Sequence, residues 1–247
     1  HLQKKQPGVE IDMFDRLPTP YGLVRGGVAP DHEKIKSVTK VYERIAARPG
    51  FRFFGGVTLG RDITEADLAR HYHAVVLSVG APVDRRMGIP GEDLTGSLSA
   101  TDFVAWYNAH PEHRDLAVDL SATRAVVVGN GNVAVDVARI LVTRVEDLAK
   151  TDIADHALEQ LRLSSVRVVT MLGRRGPAQA AFTPKEIREL GELDGVTLRV
   201  DPADLELDPQ SAATIDEDGE RVINALRSVA GRSPAPDDRV IDLCFLT

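Results

Sequence analysis

The hexapeptide Gly129-Asn130-Gly131-Asn132-Val133-Ala134 constrains this chain more than any other stretch. It follows the strand-forming run Arg124–Val128 with no intervening loop and leads into a helical pattern carried by Val133, Val137, Ile140 and Leu141. No proline interrupts either side. Strand, glycine turn and helix in immediate succession open a dinucleotide-binding βα unit. A diphosphate must approach backbone N–H groups at the helix start, and a side chain at the tight positions would block it. Gly129 allows the sharp exit from the strand, Gly131 the close approach, and Ala134 lets the helix lie against the sheet. A lone G-x-G-x-x-A also occurs where a strand merely meets a helix; the flanking elements favour the binding reading.

The next apolar strand, Val166 to Leu172, runs into Gly173-Arg174-Arg175-Gly176-Pro177. An NAD-specific unit places an acid at this strand end to meet the ribose hydroxyls, whereas an NADP-specific one needs positive charge. Two arginines offer planar forks of donors matched to phosphate oxygens. The ordinary reading of an Arg pair is a solvated loop, and its position after the second strand of a glycine-turn unit favours the 2′-phosphate.

Elsewhere strand-like and helix-like runs alternate, which specifies an α/β chain with parallel strands. The spacing predicts a strand over Val9 to Phe14, an ordered loop over Leu17 to Pro30, and a helix capped by Asp31 reaching about Ala47. A strand over Phe51 to Phe54 follows, then a helix begun by Ile63-Thr64-Glu65. Ala74 to Val79 reads as a continuous apolar strand buried on both faces, and Ala81 to Ser99 as a connection between two units. Thr101 is the expected cap of the next helix, in which Trp106 and Tyr107 are packing residues. In the second half, Thr183-Pro184-Lys185-Glu186 is a helix start with a capping hydroxyl and a carboxylate at the third position. Val196 to Val200 and Val240 to Leu246 are strands, Arg221 to Val229 a helix, and Asp201 to Glu220 an acidic loop.

Composition narrows the classes. A formal charge of −7 over 247 residues, with no basic stripe, excludes a nucleic-acid binder. The single Cys244 excludes an internal disulfide and an all-cysteine metal or iron–sulfur site, so no metal centre is expected. No run reaches the length of a membrane span, and the opening residues lack a signal-peptide pattern, which predicts a cytoplasmic protein.

Several motifs in order carry a resemblance: Arg16-Leu17-Pro18-Thr19-Pro20-Tyr21-Gly22-Leu23-Val24-Arg25, Gly27-Val28-Ala29-Pro30-Asp31-His32, Ile89-Pro90-Gly91-Glu92, Trp106-Tyr107-Asn108, the glycine turn with Asp136, the Arg174-Arg175 turn, and Ala181-Phe182-Thr183. The chain resembles ferredoxin-NADP reductases of the adrenodoxin-reductase type, flavoproteins with two Rossmann-like domains. The resemblance implies two dinucleotide-binding domains with helices on both faces of parallel sheets: a partial FAD domain over residues 1–98 and an NADP domain over 99–247, incomplete at its C-terminal end. It implies hydride transfer from NADPH to FAD and single electrons passed on to a ferredoxin-like iron–sulfur protein. Carried over by motif, Asp15 accepts hydrogen bonds from the FAD ribose, and the backbones of Leu23 and Leu59 line FAD. Gly129, Asn130, Gly131, Asn132 and Val133 hold the NADP pyrophosphate, and Arg174 and Arg175 the 2′-phosphate. Arg85 and Glu186 also touch NADP. His32 and Glu189 match the pair that tunes hydride transfer. Plainer readings stand beside these: Asp15 as a surface carboxylate, His32 as a surface histidine, and Glu186 as a capping-box acid. Arg221, Arg227 and Arg232 are either solvated or part of a docking face for an acidic ferredoxin.

The family's FAD phosphate turn, expected upstream of Asp15, and its C-terminal flavin-covering segment have no counterpart in this sequence, so a fragment is expected. Two alternatives remain at this level. One is another two-dinucleotide flavoprotein, such as the reductase subunit of glutamate synthase; the other is a non-catalytic NADP-binding module. Nothing in the sequence fixes an oligomeric state.

Overall fold

The computed structural model describes residues 1–81 and 83–245, which cluster into two compact units, His1–Arg85 and Arg86–Thr247. The first unit contains α1 (Leu2–Lys5), β1 (Ile11–Asp15), α2 (Gly22–Gly26), α3 (Glu33–Lys36), α4 (Thr39–Ala46), β2 (Phe51–Gly55) and α5 (Glu65–His71). Strands β1 and β2 pair in parallel, from Ile11 opposite Phe51 to Asp15 opposite Gly55. Both therefore end on the same side, where Asp15 sits. Phe14 stacks on Phe54 with ring centroids 5.1 Å apart, and Tyr72 meets Phe14 edge-on. The register also sets Asp12 against Arg52, whose guanidinium donates two hydrogen bonds of 2.6 and 2.9 Å to the carboxylate, while the Tyr72 hydroxyl donates a third. The Asp12 side chain is only 5% exposed. Arg52 holds its carboxyl below the ordinary aspartate range. Helix α5 opens with a complete capping box between Thr64 and Asp67.

Three expectations change in this unit. The segment Leu17 to Pro30 contains α2, a short helix. The helix expected from Asp31 is two helices, α3 and α4, separated at Ser37 and Val38, and His32 rather than Asp31 occupies the first cap. Ala74 to Val79 forms no strand: the backbone there has no ladder partner among the described residues, and Val76 is 78% exposed. Apolar composition favours a central parallel strand only where neighbouring strands supply hydrogen bonds, and the described sheet of this unit holds β1 and β2 alone.

The second unit contains α6 (Ala100–Tyr107), β3 (Arg124–Val128), α7 (Asn132–Val142), α8 (Val145–Leu148), α9 (Asp155–Arg162), β4 (Val168–Gly173), α10 (Pro184–Gly191), β5 (Val196–Val200), α11 (Pro209–Thr214), α12 (Glu217–Val229) and β6 (Arg239–Phe245). Its four strands lie in the order β3-β4-β6-β5, all parallel. Parallel neighbours require crossovers, and α7, α10 and α12 supply them. Val169, Met171, Leu198, Ile241 and Leu243 of the sheet are buried with Ile140, Ile187, Leu190 and Leu226 of those helices. Phe103, Trp106 and Tyr107 of α6 belong to the same core, so Trp106 and Tyr107 are packing residues as expected. Each fully buried side chain of this size contributes about 1.5–3 kcal/mol, which concentrates stability here. In the first unit only Ala29, Pro30 and Leu68 are buried among the described residues.

Ser99, not Thr101, caps α6, its hydroxyl accepting the Asp102 N–H at 3.0 Å. The acidic segment expected to be loop holds a 3-10 turn over Pro202–Leu205, then α11 and the start of α12. Its acidity is functional in the fold: Asp201, Asp208 and Asp216 each cap the element that follows. Cys244 is half-buried within β6, and Leu246, the last residue of the expected strand, lies outside the described residues. The expected domain limit at residues 98 and 99 falls inside the second unit. Among the described residues no helix is long and apolar enough to cross a membrane.

Candidate dinucleotide-binding site

In the second unit the site is built where β3 and β4 end side by side. The Gly129 N–H donates to the Leu172 carbonyl at 2.9 Å, extending the pairing of the two strands into the turn. Gly129 then takes φ +136, a conformation that L side chains rarely adopt. Gly131 caps α7 without any side-chain hydrogen bond, so the first-turn amides have no protein oxygen supplied from the cap. Asn132 and Val133 at this turn are exposed. Unsatisfied N–H groups and the positive end of the helix dipole make this an anion-binding position.

A second segment braces the turn from outside. The Asn130 carbonyl accepts the N–H groups of Ala181 and Phe182 at 3.0 and 3.1 Å, and Asn132 Oδ1 accepts that of Thr183 at 3.0 Å. Thr183 in turn caps α10, its hydroxyl accepting the Glu186 N–H at 3.3 Å. With the Thr183 N–H committed to Asn132, Glu186 turns elsewhere. It is buried, and its carboxylate lies 3.4 Å from the Arg139 guanidinium, which also donates to Asp136 at 2.7 Å. This buried cation joins α7 to α10. Neither Asn132 as a brace nor Arg139 as a tie was apparent in the sequence; an arginine on the apolar side of the α7 pattern is the signal that points to the tie.

Gly173 closes β4 because no side chain fits there: an added Cβ would stand 2.5 Å from Asn130 Nδ2. Arg174 and Arg175 follow, both exposed, and among the described residues neither guanidinium pairs with a carboxylate. Asn130 Nδ2 is itself buried without an acceptor, a costly state that a phosphate or water at the turn relieves. Open first-turn amides after β3, an orphaned amide donor and two exposed cations after the adjacent β4 fit a phosphorylated dinucleotide.

The other predicted residues are placed as follows. In the first unit, Asp15 Oδ1 accepts the Leu17 N–H at 2.9 Å, which turns the chain out of β1. Leu23, on α2, is 81% exposed, and Leu59 is half-buried, bridged to Ile63. An added Cβ on Gly55 would lie 2.6 Å from the Pro18 carbonyl oxygen, so the chain after β1 runs hard against the end of β2. A carboxylate at the end of a parallel strand fits the ribose of a flavin nucleotide. His32 caps α3 through its carbonyl, with no side-chain capping bond. Arg85 is exposed. In the second unit, Glu189 pairs with Lys185 at 2.8 Å along α10, and this carboxylate raises the Lys185 pKa. The three arginines considered for docking are engaged locally. Arg221 pairs with Glu217 and Asp218, Arg227 donates to the Leu205 carbonyl, and Arg232 donates to those of Gly191 and Ser228.

Comparison with known proteins agrees with this geometry. The family model for pyridine nucleotide-disulphide oxidoreductases matches residues 4–239. The chain is 53% identical over 238 residues to NADPH-ferredoxin reductase FprA of Mycobacterium tuberculosis (strain ATCC 25618 / H37Rv), an alignment covering 96% of this chain and 52% of that protein. It is 45% identical over 238 residues to mitochondrial NADPH:adrenodoxin oxidoreductase of Salvelinus fontinalis, covering 96% of this chain and 48% of that one. The solved structure of Mycobacterium tuberculosis FprA in complex with NADPH superposes with a TM-score of 0.95 at 51% identity, over 99% of this chain and 55% of that one. The chain thus spans about half the length of the curated relatives it matches.

Proposed function

This chain belongs to the pyridine nucleotide-disulphide oxidoreductase family, and from that premise we propose that it is the nucleotide-binding part of an NADPH-dependent ferredoxin reductase. In this reading it takes hydride from NADPH onto FAD and delivers single electrons to a ferredoxin-like iron–sulfur protein in the cytoplasm. The observation that carries the proposal is the uncapped start of α7 beside two exposed arginines at the end of β4. The names of the relatives, NADPH-ferredoxin reductase and NADPH:adrenodoxin oxidoreductase, support the class of acceptor.

The residues divide the work. Residues 1–98 serve FAD and residues 99–247 serve NADP. Gly129 and Gly131 clear the path of the pyrophosphate, and the amides around Asn130, Asn132 and Val133 hold it. Arg174 and Arg175 take the 2′-phosphate through charge-assisted bonds, and Arg85 adds a further cation. Glu186, anchored by Arg139, meets the nucleotide from the start of α10. Asp15 accepts ribose hydroxyls of FAD, and the backbones of Leu23 and Leu59 line it. His32 and Glu189 tune the hydride step. FAD, when bound, supplies the passage from two-electron to one-electron chemistry, and the protein supplies binding and orientation.

Incubation of the purified chain with FAD, followed by gel filtration and addition of NADPH under anaerobic conditions, tests this. The proposal predicts retained yellow absorbance that NADPH bleaches and a ferredoxin restores. Colourless protein that still binds NADPH would reduce the chain to an NADP-binding module, and protein that binds neither nucleotide would reject the reading altogether.

A further inference from the structure

A phosphate turn is bare by necessity, and bareness loosens it. Glycine gives up more conformational freedom on ordering than any other residue, so a ligand that must itself order the turn around Gly129 and Gly131 binds more weakly. In this protein a second segment orders the turn in advance. Ala181 bridges Gly131 in parallel, the Asn130 carbonyl spends both lone pairs on the N–H groups of Ala181 and Phe182, and Asn132 Oδ1 accepts that of Thr183. Phe182 is buried, which fixes the segment from its own side.

The bonds to the Asn130 carbonyl run backbone to backbone and do not depend on a side chain. The bond to Thr183 does. A backbone N–H only donates, so the oxygen of the Asn132 amide, not its nitrogen, faces Thr183. Asn132 is the first residue of α7 and Thr183 the cap of α10, so this one bond ties the helix with the open first-turn amides to the start of its neighbour. It also accounts for a departure from capping-box chemistry. In a closed box Glu186 would accept the Thr183 N–H; with Asn132 in that place, Glu186 pairs with Arg139. Aspartate could accept the same N–H, but it would set a negative charge at the anion-binding end of α7. Asparagine accepts without the charge.

We propose that the side chain of Asn132 is a positioning group, which holds the start of α7 in its binding conformation before the nucleotide arrives by clamping it to Thr183. The inference rests on the nucleotide-binding reading of this turn and adds to it a side chain that acts through Thr183 rather than on the ligand. Its reach stops short of the 2′-phosphate position. Between Thr183 and the Arg174-Arg175 pair stands a 3-10 turn, Pro177–Gln179, with an anchorage of its own. Pro177 is buried, and Gly219 of α12 lies so close that an added Cβ would stand 3.2 Å from the Ala178 carbonyl oxygen. Slack introduced at Thr183 is absorbed before it reaches the arginines.

The test titrates the unaltered chain and Asn132→Ala with NADPH, with NADH, and with adenosine 2′-monophosphate, which carries the 2′-phosphate but no pyrophosphate. The variant binds NADPH and NADH each about fivefold more weakly, the factor to which the net contribution of one hydrogen bond corresponds, and binds the monophosphate as before. A bond of purely structural value would lower the unfolding temperature and move none of the three affinities. Amide hydrogen exchange read by NMR follows the clamp itself without nucleotide: the Thr183 N–H is protected in the unaltered chain and in Asn132→Asp, which keeps the acceptor, and exchanges freely in Asn132→Ala. The proposal is overturned if Asn132→Ala binds both dinucleotides as tightly as the unaltered chain, if the monophosphate weakens by the same factor, or if Thr183 is unprotected in the nucleotide-free unaltered chain. An unaltered chain that binds neither dinucleotide rejects the underlying reading and this inference with it, whereas an unaltered chain that binds them and an indifferent Asn132→Ala reject this inference alone.

Discussion

Arg139 shows how much rests on single side chains. It is 3% exposed and faces two carboxylates, Asp136 and Glu186, from different helices. Removing one member of a buried ionic group leaves the others uncompensated, typically at 3–5 kcal/mol. Arg139→Met is therefore expected to lower the unfolding free energy by about 3 kcal/mol in urea titration; a loss within experimental error would show that the carboxylates are solvated rather than tied. In the first unit Asp12 pairs with Arg52, and its contribution depends on pH. Its folded pKa is depressed by Arg52, so the stability it contributes is fully present above the unfolded value of about 3.9 and is lost as pH falls through the lower folded value. Asp12→Asn should narrow its stability gap to the unaltered chain between neutral pH and about pH 3, measured by denaturation at each pH. A gap that stays constant would mean the carboxylate is not paired in solution.

At the scale of elements, legibility in the sequence tracks how local the determining physics is. Strand β3 and helix α7 were predicted within a residue of where they stand because glycines, apolar run and helical spacing all lie within one stretch. The caps of the acidic segment were legible too, since Asp201 and Asp208 each precede a proline at the first helical position, but the density of charge suggested loop instead. Pairing is different. Nothing inside Ala74 to Val79 says whether a neighbour is at hand, and among the described residues none is. Hydrogen exchange should separate the two cases: amides over residues 74–80 exchange orders of magnitude faster than those of β4 and β6, which are bonded on both sides. Equal protection would contradict the unpaired conformation. Within the candidate site, the glycine turn and the Arg174-Arg175 pair proposed to face a ligand were legible from their chemistry, whereas the bracing contact of Asn132 and the tie through Arg139, made between segments distant in sequence, were not.

For the whole molecule, the two units differ sharply in how much apolar surface they bury, with the extensive core confined to the second. Cleavage by proteases concentrates where backbone is exposed and unbonded. Trypsin at low ratio is expected to cut first at Arg85 or Arg86, in the exposed stretch where the units divide, and to leave a resistant fragment beginning near residue 86; first cleavage inside β3 to β6 would contradict this division of stability. The central claim concerns what the second unit recognises, and it reduces to one comparison. Titration of the unaltered chain and of the Arg174→Ala, Arg175→Ala variant with NADPH and with NADH should show NADPH affinity falling by about a hundredfold, as two charge-assisted bonds at roughly 1.5 kcal/mol each require, with NADH affinity nearly unmoved. Equal losses for both nucleotides, or no preference for NADPH in the unaltered chain, would contradict the account.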